Sequence, residues 1–108
     1  MKIKIDDFLT AEHISEADKN NPVYATIRDI SFIEAADLPF ESKVGKYELL
    51  LEIENSETKW LANKTSIRSL MSVFGNDTEN WIGKQIKMWV VEQIIEGKLR
   101  NVIYAGAE

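Results

Sequence analysis

The chain is 108 residues long, 44% hydrophobic and 29% charged, which bounds it to one globular domain with a single core. It contains no cysteine, so disulfide frameworks, thiolate zinc sites and cysteine nucleophiles are excluded. A formal net charge of -5 opposes general affinity for polyphosphate, yet residues 1–58 carry -7 and residues 59–108 carry +2, an asymmetry that can mark a basic face.

Met1 to Asp7 leads into charged sequence with no apolar h-region, so no signal peptide is expected, nor any membrane span. Cytoplasmic location follows as the expectation. Residues 6–21 predict a short N-terminal helical segment that packs Phe8, Leu9 and Ile14 on the body; Asn20-Asn21-Pro22 ends it, because proline lacks the amide donor. Val23 to Ile33 alternates as a strand, with Val23, Ala25 and Ile27 on one face, and Ile30, Phe32 and Ile33 predict a bulge or change of side. A loop over residues 34–46 is punctuated by Pro39 and Gly45. In the second strand Tyr47, Leu49, Leu51 and Ile53 form the buried face and Glu48, Leu50, Glu52 and Glu54 the outer one, followed by a tight turn at Asn55-Ser56.

Lys59 to Asn63 predicts a third strand, and with Leu61 inward Trp60 points out. Thr65 or Asn63 caps the next helix, where Ile67, Leu70, Met71 and Phe74 fall on one apolar stripe; Gly75 stops it. Trp81 wedges between this helix and the end of the barrel. Ile86, Met88 and Val90 form the inner face of a fourth strand, with Trp89 outward beneath the N-terminal segment. Glu96-Gly97-Lys98 turns into a fifth strand, Leu99 to Tyr104. The order predicts a mainly β fold: a five-stranded OB-type barrel with one helix between strands three and four. The division expected is an N-terminal segment over residues 1–22 and an OB-fold domain over residues 23–105.

Catalytic patterns are scarce. His13 is the only histidine and lies outside the predicted barrel, where an exposed or capping role suffices. Asp6 and Asp7 are adjacent in sequence and do not face one another. Asn76-Asp77-Thr78-Glu79-Asn80 is oxygen-rich, but Trp81 stands where a calcium loop needs glycine. Between Gly75 and Gly83-Lys84 the spacing is wrong for a phosphate loop, and Gln85 replaces its Ser or Thr. No catalytic residue, metal site or cofactor is therefore expected, and the chain reads as a non-enzyme.

Single-strand binders combine aromatic side chains that stack bases with cations that follow the backbone. Trp60, with Lys59 and Lys64 nearby, fits that requirement, and Lys98 and Arg100 flank the loop between strands four and five, which borders the usual OB groove. These five residues form the expected nucleic-acid site. Glu48, Glu52 and Glu54 oppose it, and their row motivates a second reading: a protein-interaction module, an accessory or host-modulating factor acting through an acidic face.

The segments Leu61-Ala62-Asn63-Lys64-Thr65 and Phe74-Gly75-Asn76-Asp77-Thr78-Glu79-Asn80-Trp81-Ile82-Gly83-Lys84 resemble small, uncharacterised OB-like proteins of bacteriophages and prophages. The resemblance spans about residues 47–104. It implies an OB-like fold, single-stranded-DNA binding, a role in phage or prophage DNA replication or recombination inside a bacterial host cell, and replication or host proteins as further partners. Ala62 and the acidic first half depart from that pattern.

Overall fold

The computed structural model describes residues 9–38 and 41–107. Five strands, β1 (Val23–Ile33), β2 (Lys46–Ile53), β3 (Ser56–Ala62), β4 (Gln85–Ile95) and β5 (Lys98–Ala107), form one antiparallel sheet in the order β3-β2-β1-β4-β5, and one helix, α1 (Lys64–Phe74), joins β3 to β4. The first half of β1 pairs with β4 and the second half with β2. A register shift between Ile27 and Asp29 marks the bulge that the residue pattern requires, and it bends β1 where it passes from one neighbour to the other. The sheet thereby curls into a half-barrel.

Helix α1 occupies the opening between the two outermost strands. Asn63 caps it, its side-chain oxygen accepting from Ser66 N–H at 2.9 Å, while Asn63 Nδ2 donates to the Ile103 carbonyl of β5 at 2.5 Å. Ser66, 1% exposed, accepts the Ala105 N–H at 2.9 Å. An outermost strand otherwise leaves such groups unpaired. Here a helix satisfies them in place of a sixth strand, which is why Asn63 and Ser66 are polar residues in an apolar setting.

Ile27, Leu49, Leu51, Leu70, Ile86 and Met88 are fully buried and centre the core. Trp81 is buried as expected: its Nε1 donates to the Gly75 carbonyl at 3.0 Å and its ring meets Phe74 edge-on, centroids 6.1 Å apart. Gly75 ends α1 at φ 89° and ψ -177°, a region that only glycine enters freely. At the opposite end of the half-barrel the N-terminal segment makes a 3-10 turn over Ala11–Ile14 and places Leu9, Ile14 and Ala17 in the core. Thr10 N–H donates to His13 Nδ1 at 3.0 Å, so the lone histidine is a capping residue. Phe8, the Asp6-Asp7 pair and Pro39 lie outside the described residues.

Three local expectations need correction. The β2–β3 turn is Glu54-Asn55, both at positive φ (49° and 67°), one residue earlier than Asn55-Ser56. Trp60 points inward and is 3% exposed, because it stands directly opposite Leu49 and opposed residues share a face. Trp89 is half-buried across Gly106 of β5, where an added Cβ would stand 3.4 Å from Trp89 Cη2; the N-terminal segment meets β4 at Val90 instead, whose N–H donates to the Ala17 carbonyl.

Candidate nucleic-acid interface

The inner face of the sheet continues beyond the core toward the β1–β2 loop, and there the strands carry aromatic residues that nothing covers completely. Phe32 of β1 and Tyr47 of β2 are directly paired, their rings edge to face with centroids 5.1 Å apart, yet they remain 49% and 37% exposed. Gly45 makes this arrangement possible. A Cβ there would overlap the Phe32 ring and the Ile33 carbonyl oxygen, so only glycine lets that ring lie against the backbone.

Together with Val44, Ile67 and Met71 these rings floor a groove of about 480 Å³ between the β1–β2 loop and α1. Its size lies within the range of small-ligand sites. Lys46, Lys64 and Arg68 stand among its walls, and no carboxylate lines it among the described residues. Lys64 and Arg68 are four apart on α1 and therefore project from one side of the helix. Exposed aromatic faces set among cations offer both contacts that a single strand needs, a stacking platform and a path for phosphates.

The structure distributes the expected site residues rather than gathering them. Lys64 lies in this groove. Lys59 is exposed on the outer face of β3, opposite Leu50, and its carbonyl accepts Leu9 N–H. Lys98 and Arg100 are exposed on the β4–β5 hairpin, beyond the far end of β1. Trp60 is enclosed in the core and has no face to offer a base. Phe32, Tyr47, Lys46 and Arg68 were not singled out from the sequence. Tyr47 reads there as one more inward residue of β2, and nothing in its alternation says that the core stops short of it.

The acidic row also changes. Glu52 is ion-paired with Arg28, Glu48 is half-buried on the outer face, and Glu54 leaves the strand for the turn. Among the described residues no three His, Asp or Glu side chains converge as a metal site would need, and no helix is long and apolar enough to cross a membrane. Comparison with protein-family models, with curated proteins and with solved structures finds no match.

Proposed function

We propose that this protein is a non-enzymatic OB-type domain that binds single-stranded nucleic acid in the Phe32–Tyr47 groove. Strand order supports the fold assignment: β1 is shared between β2 and β4, and the helix follows β3, as in a five-stranded, partly open Greek-key barrel. The groove carries the functional reading, through two exposed rings beside three cations and, among the described residues, no carboxylate in its lining. Bases stack on Tyr47 and Phe32, while Lys46, Lys64 and Arg68 follow the phosphates. Stacking of this kind contributes about 1–3 kcal/mol per base. A phage or prophage setting, in DNA replication or recombination, rests on the resemblance of the Leu61–Thr65 and Phe74–Lys84 segments alone.

Binding at the groove predicts which backbone amides respond to an oligonucleotide. In a titration followed by amide resonances, Gly45, Lys46, Tyr47, Ile67 and Arg68 move and Lys59 does not. Movement centred on Lys59 and the outer face of β2 would overturn the groove assignment. A second reading, a protein-interaction module, is favoured by one observation: the β4–β5 hairpin ends in exposed Ile94 and Leu99.

A further inference from the structure

Beyond Met88, the last β4 residue paired with β1, β4 and β5 pair with each other; residues 89–91 and 102–104 still pack on the body, and the exposed residues 92–95 and 98–101 project as a two-stranded arm. At the strand rise of about 3.3 Å per residue the arm reaches roughly 13 Å beyond Val91. Ile94 and Leu99, directly opposed near its end, are 75% and 67% exposed. A two-stranded ribbon is marginal alone, and exposing its largest apolar pair to water weakens it further. Its two faces differ in charge. Glu92 and Asn101 share a face with Ile94 and Leu99, whereas Lys98 and Arg100 lie on the opposite face with Ile95 and Gln93.

The aromatic groove is the complement of that first face. It has an apolar floor where the arm has an apolar pair, and cations where the arm has Glu92. The two features lie at opposite ends of β1: the arm leaves beyond Val23, and Phe32 opens the groove nine residues on. That separation is about 30 Å along the strand, so an arm cannot fold back into its own groove. We propose that a second copy of this chain supplies the occupant: the β4–β5 arm of one copy enters the Phe32–Tyr47 groove of the next, Glu92 meeting Lys64 or Arg68. Such a contact is head to tail, so it propagates into rings or filaments instead of closing as a symmetric dimer. Nucleic acid and arm compete for the same cations, which makes association a brake on strand binding. The contact itself needs no nucleic acid.

Sedimentation without oligonucleotide tests it, from low micromolar to millimolar protein. The weight-average mass of the wild type rises with concentration to at least about twofold over the 12.4 kDa monomer. The arm variant Ile94→Ser/Leu99→Ser and the groove variant Lys64→Glu/Arg68→Glu each stay monomeric, all four positions being exposed so that folding is kept. Mixed in equal amounts, the two variants form a 1:1 dimer and nothing larger, since one supplies the intact groove and the other the intact arm. A Glu92→Lys arm regains association with the charge-reversed groove. A wild type that stays monomeric throughout, an arm variant that associates normally, or variants that ignore each other when mixed would each overturn the proposal. If the mass rises but no oligonucleotide binds, the nucleic-acid reading falls and the arm-in-groove contact stands; binding without association gives the converse.

Discussion

Tryptophan 60 shows how a residue that looks like a ligand contact can be a core residue. Its indole is 3% exposed and lies in the same cluster as Leu49, Leu51 and Leu70. Trp60→Ala therefore costs about 3–5 kcal/mol of stability through lost burial and a cavity. Urea unfolding measures it, and where the variant remains folded its oligonucleotide affinity equals that of the wild type. Gly45 is the residue on which the groove depends. Gly45→Ala pushes the Phe32 ring off the backbone and strains the loop, at about 1–3 kcal/mol. Its readout is displacement of the Phe32 ring resonances together with a lower thermal midpoint.

Helix α1 does three tasks at the scale of elements. Its apolar stripe places Leu70 in the core, its N-terminal polar residues satisfy the edge of β5, and its exposed side lends Lys64 and Arg68 to the groove. Replacing Ser66 by alanine removes little more than the hydroxyl and leaves the Ala105 amide without its acceptor. The expected loss is about 1–3 kcal/mol. Hydrogen exchange locates it, since the Ala105 amide becomes the fastest-exchanging position in the inner part of β5. These roles were unequally legible in the sequence. The stripe Ile67, Leu70, Met71 and Phe74 and the Asn63 cap follow from spacing and side-chain chemistry, and both are present. That Asn63 and Ser66 would serve a distant strand depends on sheet curvature, which no local pattern encodes.

Trp60's orientation, by contrast, is encoded in the length of the β2–β3 turn. Any two-residue turn after Ile53 pairs odd-numbered residues of β2 with even-numbered residues of β3, so an inward Leu49 requires an inward Trp60. The competing apolar residue, Leu61, belongs to the outer face opposite Glu48.

At the scale of the molecule, the basic second half of the chain does not form one face. Lys64 and Arg68 join Lys46 at one end of β1, while Lys98 and Arg100 leave on the arm at the other. The succession of elements along the chain and the inner faces of β1, β2 and β4 could be read from alternation, because each depends on neighbours along the chain. The groove could not, because it assembles the end of β1, the start of β2 and one side of α1, three segments whose convergence depends on how far the sheet curls. An acidic protein can still bind a strand here, since the local set of charges at the groove is positive and the Debye length of about 8 Å at physiological salt screens the rest.

Fluorescence anisotropy of a labelled single-stranded oligonucleotide, titrated with protein at several salt concentrations, tests the central claim most directly. Three phosphate contacts predict a log–log salt slope of about -2. Tyr47→Ser lowers affinity by roughly 5- to 150-fold, the equivalent of one stacked base. Lys64→Glu/Arg68→Glu abolishes binding, while Lys59→Ala leaves it unchanged. Absence of binding at high micromolar protein, or binding that keeps its strength and salt slope in the Tyr47 and Lys64/Arg68 variants, would contradict the account.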